Sequence, residues 1–213
     1  MGASPIATLE GRVLECRPHG ENHESILVLD PESGPGRVLF RASLRRKKGG
    51  GYIPDLLDRT VVVAEIAQGG GHFLKSADLV DRPTALARDY GAFSCASRLA
   101  SILARNAHDL PEWRGLAEDL VQALQAWSHG AAPRVVLLKT LYRIAKAEGL
   151  PVREHWRTRL SGDDQAEATR LINSPLSLIG RDEGAADSLC ANLERWLASE
   201  CSWHIPPPAN GGR

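Results

Sequence analysis

The hydrophobic pattern of this chain changes its period near Pro83, and this change constrains the fold more than any other feature. Before Pro83, short apolar runs are separated by Gly and Pro residues. The runs are ATLEGRVLECR, ESILVLDPESGPG, RVLFRAS, TVVVAEIA and GGGHFLKSADLV. Runs of this kind, bounded by turn residues, predict the strands of a small barrel or sandwich. Five strands match the oligonucleotide/oligosaccharide-binding (OB) fold, a partly open barrel. The segment IPDLLDR, before the fourth strand, predicts a short helix.

After Pro83 the apolar residues recur at helical spacing. The segment PRVVLLKTLYRIAKAEGLP has a proline near its start and a glycine at its end, as helices do. Two later segments, DDQAEATRLIN and DEGAADSLCANLERWLASEC, carry acids at their N-terminal ends, which suits the helix dipole. The residues expected on buried helix faces are Leu86, Tyr90, Phe93, Leu99, Ile102, Leu103, Leu116, Leu120, Leu124, Trp127, Leu138, Leu141 and Ala145. About five helices are predicted.

The predicted fold class is therefore α+β, with an N-terminal five-stranded OB-type β-barrel followed by an all-α helical domain. We place the barrel in residues 1–81, the helical domain in residues 82–203 and a disordered Pro/Gly-rich tail in residues 204–213. No apolar run reaches the roughly 18 residues of a membrane span. The N-terminus lacks the pattern of a signal peptide. We therefore expect a cytoplasmic protein that does not bind membranes.

Positive charge is concentrated in RASLRRKKGGGY, although the chain has 26 basic and 26 acidic residues. The basic residues of this segment are Arg41, Arg45, Arg46, Lys47 and Lys48, and no acid occurs between Ser33 and Pro54. Basic side chains bind nucleic acids by neutralising phosphates and releasing counterions, which needs no base-specific geometry. Arg37 is expected to share a strand face with Arg41 because their spacing is even. The alternative is a solvated loop whose charge protects an edge strand.

Aromatic side chains complement such charge in proteins that bind single strands. The predicted barrel, residues 1–81, offers few of them, namely Phe40, Tyr52 and Phe73. Phe40 alternates with Arg41, so we expect it in the core. Tyr52 is the preferred candidate for stacking on a base. The candidate DNA-binding residues are Arg37, Arg41, Arg45, Arg46, Lys47, Lys48 and Tyr52.

The order of these parts resembles the bacterial recombination-mediator family RecO, which acts in DNA repair. The likeness rests on GRVLECRPHGENHESILVLDPESGPGRVLF, on RASLRRKKGGG and on PRVVLLKTLYRIAKAEGLP. It implies binding of single- and double-stranded DNA, strand annealing and recombinase loading on strands coated by single-stranded DNA-binding protein (SSB). It also implies a RecR-type mediator as a partner and a site in the helical domain for the acidic C-terminal tail of SSB. Members with four cysteines in a zinc site differ from this chain, whose cysteine spacing is unsuitable.

A basic face on the predicted helix PRVVLLKTLYRIAKAEGLP is the candidate partner site. Lys139, Arg143 and Lys146 lie at positions i, i+4 and i+7 of PRVVLLKTLYRIAKAEGLP. Such a face is usually a solvated surface, and its functional alternative is a contact for an acidic peptide or for a second stretch of DNA.

Motifs for catalysis and metal binding are weak. No P-loop, Gly-x-Ser-x-Gly elbow or paired-carboxylate signature occurs, so we expect a binding protein that is not an enzyme and uses no cofactor. His19 and His23 have a metal-ligand spacing, but Pro18 and Gly20 favour a turn there. The four scattered cysteines are expected to be reduced and mostly buried. The remaining alternatives are a protein-interaction scaffold that does not bind DNA and, with less support, a histidine-based metal-binding protein.

Overall fold

The computed structural model describes residues 5–46, 51–179 and 184–207, with the backbone alone at Arg46. The chain divides into two compact units. One comprises Met1–Pro83 with Ala107–Ala117, and the other comprises Thr84–Asn106 with Glu118–Arg213. The break after Pro83 coincides with the change of hydrophobic period. The segment Ala107–Ala117 groups with the first unit, which the sequence did not predict.

The first unit contains a five-stranded mixed sheet that closes in a ring. Its strands are β1 (Ile6–His19), β2 (His23–Asp30), β3 (Gly34–Arg41), β4 (Arg59–Ile66) and β5 (His72–Asp81). They neighbour one another in the order β1-β2-β3-β5-β4, and β4 pairs with β1 to complete the ring. Only β3 and β5 are parallel, through Leu39 and Phe73. The predicted OB-type barrel is confirmed.

Alternation along the strands fills the interior of the barrel. The inner core consists of Leu9, Val13, Ile26, Val28, Val38, Phe40, Val62 and Ala64. Successive side chains of a strand point to opposite faces. Residues that alternate with this core, such as Arg37, Leu39 and Arg41, therefore point outward. Phe40 is buried, as predicted.

Between β3 and β4 the prediction of a helix in IPDLLDR is wrong. A short helix, α1 (Ala42–Arg46), lies earlier, within the basic segment. The IPDLLDR segment forms a turn in which Leu57 has a positive φ of 67°. The Leu57 N–H donates to the Val13 carbonyl and the Asp58 carbonyl accepts from the Val13 N–H, at 2.9 and 3.0 Å. Because these groups pair with β1, a helix cannot form here.

The second part of the chain is helical, as predicted. Its longer helices are α2 (Tyr90–Asn106), α3 (Trp113–Ser128), α4 (Pro133–Ala147), α5 (Gly162–Asn173) and α6 (Gly184–Glu200). Short helical turns occupy Thr84–Arg88, Val152–Trp156, Arg157–Arg159 and Leu176–Leu178. The residues expected on buried faces are buried apart from Tyr90 and Phe93. Tyr90 is 82% exposed and Phe93 is 43% exposed, so their assignment to the core is wrong.

The start of the predicted disordered tail is held in place. The side chain of Asn106 accepts from the His204 N–H at 2.8 Å and donates to its carbonyl at 3.2 Å. Arg98 donates to the carbonyls of Pro206 and Pro207. Residues 204–207 therefore lie along α2 and are held by its side chains, in contrast to the predicted disorder. Residues 208–213 lie outside the described residues. None of the helices described is long and apolar enough to cross a membrane.

Candidate nucleic-acid interface

One end of the outer barrel face brings basic and aromatic side chains together. Cross-strand pairing aligns Arg17 of β1 with Ser25 of β2, Ser25 with Leu39 of β3, and Leu39 with Phe73 of β5. Paired residues share a face of the sheet. The adjacent row contains His23 opposite Arg41. We call the surface formed by Arg17, His23, Arg37, Leu39, Arg41 and Phe73 the arginine face.

The arginines of this face differ in how firmly they are held. Arg37 Nη1 lies 2.9 Å from Glu15 Oε2 and donates to Ser25 Oγ at 3.2 Å. Arg17 Nε lies 3.3 Å from the same carboxylate oxygen. Arg41 is exposed and its guanidinium forms no ion pair with another described residue. Glu15 therefore neutralises part of the positive charge, and Arg41 is the most available cation.

Arg45 contacts other residues of the barrel, although the sequence predicts it among the DNA-binding residues. Its Nε lies 2.8 Å from Glu24 Oε2, and its guanidinium carbon lies 5.6 Å from the centroid of the Phe40 ring. It also lies beside Cys16, whose pKa is raised to about 12, chiefly because the thiol is buried. Arg45 thus joins α1 to the core. Arg46 is described only by its backbone, and Lys47 and Lys48 lie outside the described residues.

The Tyr52 hydroxyl is hydrogen-bonded to a buried carboxylate. Its hydroxyl donates to Asp58 Oδ2 at 2.7 Å, and burial followed by this hydrogen bond raises the pKa of the phenol. Asp58 is 1% exposed and also accepts two hydrogen bonds from Arg82, at 2.7 and 2.6 Å. The tyrosine ring is half-buried. Tyr52 therefore stabilises the turn before β4 and offers a base less ring surface than an exposed aromatic would.

Phe73 is the exposed aromatic that the sequence did not select. It is 40% exposed, and its ring centroid lies 6.2 Å from that of His23 in an edge-on arrangement. Its neighbour Leu74 packs against the inner core. The alternation of Phe73, Leu74 and Lys75 was the available signal, because a strand whose leucine points inward must turn the phenylalanine outward.

The remainder of the outer face of β1 and β2 is covered. Leu14, Leu27 and Leu29 are at most 1% exposed, yet they are not part of the inner core. At the start of β3, Gly34 packs against the Trp113 ring so closely that a Cβ there would lie 2.7 Å from it. On the outer face of β1, β2 and β3, a ligand is therefore restricted to the end that carries Arg41 and Phe73.

The basic residues predicted on α4 have separate roles in the helical unit. Lys139 Nζ donates to the carbonyls of Leu171, Ile172 and Ser174 at 2.7–3.0 Å, which stabilises the C-terminal end of α5. Burial lowers the pKa of Lys139, and the nearby Arg143 contributes to this shift. Arg143 pairs with Asp119 of α3 at 2.6 Å. Only Lys146 of the three is exposed without an ion-pair partner among the described residues.

A groove of about 800 Å³ lies in the helical unit, mainly between α2 and α6. Its lining includes the exposed Tyr90 and Phe93 together with Ser97, Arg195, Ala198 and Ile205. Its two acids are engaged, since Glu194 pairs with Arg98 at 2.6 Å and Asp187 with Arg134 at 3.0 Å. Arg195 is exposed and forms no ion pair within the described part of the chain.

The histidines of HGENHE lie on either side of a turn. His19 ends β1 and His23 begins β2, and the two face each other across the hairpin. Among the described residues, no group of three or more histidine, cysteine or acidic side chains is arranged to hold a metal ion.

No protein-family model matches this chain, and no curated protein sequence matches it significantly.

Proposed function

We propose that the protein binds DNA through the arginine face of its OB-type barrel. The observation that carries this proposal is the position of the exposed Phe73 beside Arg41, at the end of the β2–β3 surface that the described residues leave uncovered. OB folds commonly bind oligonucleotides on the face of their second and third strands and on the adjoining loops. Here that surface combines guanidinium groups, which bind phosphates, with an aromatic ring, which can contact bases.

The resemblance to the RecO family extends this proposal to a biological role. The protein would act as a recombination mediator that binds single- and double-stranded DNA and assists strand annealing. It would load recombinase onto SSB-coated strands together with a RecR-type partner. These activities require binding and rearrangement but no bond-making chemistry. Charge neutralisation on two strands would assist annealing because it reduces their mutual repulsion.

The direct test is the affinity of Arg41→Glu for a labelled thymidine oligonucleotide, measured by fluorescence anisotropy at several salt concentrations. Arg41 has no ion-pair partner among the described residues, so reversal of its charge breaks no ion pair of the fold. A change in DNA affinity can then be assigned to the interface and not to lost stability. We expect about tenfold weaker binding and a shallower salt dependence, since one phosphate contact is lost and one repulsion is added. The control is Arg59→Glu, the same charge change on β4, where Arg59 pairs with Glu10. Equal losses in both variants would contradict an interface at the arginine face.

A variant that is expected to increase DNA affinity complements this test. Glu15→Gln removes the carboxylate that holds Arg17 and Arg37, so DNA affinity should increase by roughly threefold to tenfold. Glu10→Gln removes the same charge from an exposed position on β1 and should have little effect. The triple change of Arg46, Lys47 and Lys48 to Glu examines the basic segment without removing the Arg45–Glu24 pair. Unchanged affinity in every variant would exclude the arginine face and the basic segment together.

The partner component of the proposal is better supported at the α2–α6 groove than on α4, because Lys139 and Arg143 are engaged by backbone carbonyls and by Asp119. An acidic tail with apolar residues would complement Arg195, Tyr90 and Phe93. A labelled acidic peptide with an aromatic C-terminus should bind Arg195→Glu at least about fivefold more weakly than the wild type. Lys146→Glu, the matched reversal on α4, should bind normally. The opposite pattern would return the partner site to α4.

The groove also supports the scaffold alternative, in which the protein binds other proteins and not DNA. In that case the peptide would bind while the oligonucleotide would not, even at low salt. The two titrations therefore distinguish the functions.

A further inference from the structure

We infer that Phe73 is a base-stacking platform and makes the arginine face select single strands over duplex DNA. This inference rests on the proposed function and identifies the residue that would determine its specificity.

The position of Phe73 suits contact with a base. Its ring lies on the outer face, opposite Leu39 of β3 and 40% exposed. His23 and Phe73 form a T-shaped pair, with 6.2 Å between the ring centroids and 73° between the ring planes. A T-shaped pair engages at most one face of either ring, so His23 leaves at least one face of the Phe73 ring for a stacked base. His23 is accordingly a positioning residue.

The surrounding charge suits a phosphate backbone. Arg41 lies opposite His23 in one cross-strand row, and Arg17 lies in the row that contains Phe73. Arg17 and Arg41 are exposed, and Arg37 is half-buried. Two acids lie close by, and each is paired: Glu15 with Arg37 and Arg17, and Glu65 with Lys75 at 3.4 Å. The residues around the ring therefore favour a polyanion over a neutral apolar ligand.

Selectivity follows from the difference between the two kinds of contact. Arginine binds the phosphates of single and double strands alike, because this term is electrostatic and independent of sequence. An aromatic ring can stack only on a base whose face is free. In a duplex the base faces are stacked inside the helix, whereas a single strand can turn one base outward. Phe73 should therefore add affinity for single strands alone.

The geometry also limits the length of strand that is bound. The row from Arg17 on β1 to Phe73 on β5 crosses four strands, or about 14 Å at the usual spacing. Bound DNA cannot extend from the arginine face toward the other end of β1 and β2, because Leu14, Leu27 and Leu29 are buried there. A stretch of single-stranded DNA of this length contains about four nucleotides, which is the lower end of the site sizes of OB folds.

The experiment compares Phe73→Ala, Phe73→Leu and Phe73→Tyr with the wild type, using a labelled thymidine oligonucleotide and a labelled duplex. Stacking on one base accounts for a change of roughly fivefold to hundredfold. We expect Phe73→Ala and Phe73→Leu to lose at least fivefold in single-strand affinity and to retain duplex affinity and the salt dependence. Phe73→Tyr keeps the ring and should bind as the wild type does. Because Phe73→Leu keeps an apolar side chain at this surface position, it separates loss of the ring from loss of folding.

The outcomes distinguish this inference from the function on which it rests. If the wild type binds the oligonucleotide and Phe73→Ala binds it equally well, the stacking role is overturned and the DNA-binding proposal stands. If Phe73→Leu loses affinity for both ligands equally, Phe73 does not determine selectivity. If the wild type binds neither ligand at low salt, the proposed function fails and this inference fails with it.

Discussion

Replacement of Asp58 by asparagine is expected to lower the free energy of unfolding by about 2–4 kcal/mol. Asp58 is 1% exposed, and its carboxylate accepts from Tyr52, from two nitrogens of Arg82 and from the Asp55 N–H. An asparagine amide presents one acceptor and one donor, so part of this network loses its partner. We expect less than the loss for a fully buried pair, because the Arg82 side chain is 46% exposed and can regain water.

The free energy of unfolding of Asp58→Asn should also depend less on pH in the acid range than that of the wild type. Burial alone would raise the pKa of Asp58, but hydrogen bonds from Arg82 and Tyr52 outweigh burial and hold the pKa below its usual value. A carboxylate whose pKa is lower in the folded state contributes stability above the unfolded pKa, about 3.9, and loses it as pH falls through the folded pKa. The difference between wild type and Asp58→Asn should therefore shrink on acidification below about pH 4.

Denaturant unfolding at neutral and acid pH measures both effects, and Glu10→Gln is the control. Glu10 is half-exposed and pairs with the half-exposed Arg59, so its neutralisation should cost less than about 1 kcal/mol. Equal costs for Asp58→Asn and Glu10→Gln at neutral pH would show that the Asp58 network does not stabilise the barrel. A stability difference that persists unchanged in acid would contradict the assignment of the pH dependence to Asp58.

The sequence predicted the order of strands and helices because hydrophobic period is a local property. The runs that contain Val38, Phe40, Val62 and Ala64 alternate, and the same alternation fills the barrel core. The errors arose where a distant partner determines the local structure. The segment before β4 has helix-forming leucines, but Leu57 and Asp58 bond to Val13, which is more than forty residues away in the sequence. No local pattern reports such a contact.

The candidate site was predicted less well for a related reason. Charge density along the chain is visible in the sequence, and it led to Arg41 and to Arg37 on the outer face. It does not reveal which cations are already paired, and Arg45 of α1 is held by Glu24 of β2. Among the aromatic residues of the barrel, the sequence favours Tyr52 as the stacking candidate. Its distance from the buried Asp58 carboxylate became apparent only in three dimensions.

The arginine face includes residues of β1, β2, β3 and β5 and so requires a closed barrel, and we expect this closure to depend on Gly11. β1 pairs with β4 from Ile6 to Arg12 and with β2 from Arg12 to His19, so the strand passes from one partner to the other at this point. At the transition the end of β2 approaches the backbone of β1 closely. A Cβ atom at residue 11 would lie 1.9 Å from the Leu29 carbonyl oxygen and 2.5 Å from its carbon. The obstacle is backbone, which cannot rotate away as a side chain would.

Gly11→Ala should therefore destabilise the protein by at least about 3 kcal/mol, at the upper end of the cost of overpacking. Gly69→Ala is the matched control, because a Cβ at that position would meet nothing within 4 Å. Denaturant unfolding of both variants, followed by oligonucleotide anisotropy, compares the loss of stability with the loss of binding. If β1 must pass from β4 to β2 to align Arg17 with Phe73, Gly11→Ala should weaken binding although residue 11 lies outside the arginine face. Full stability in Gly11→Ala would mean that β1 and β2 can separate at this point without opening the barrel, and closure would then have to depend on other contacts.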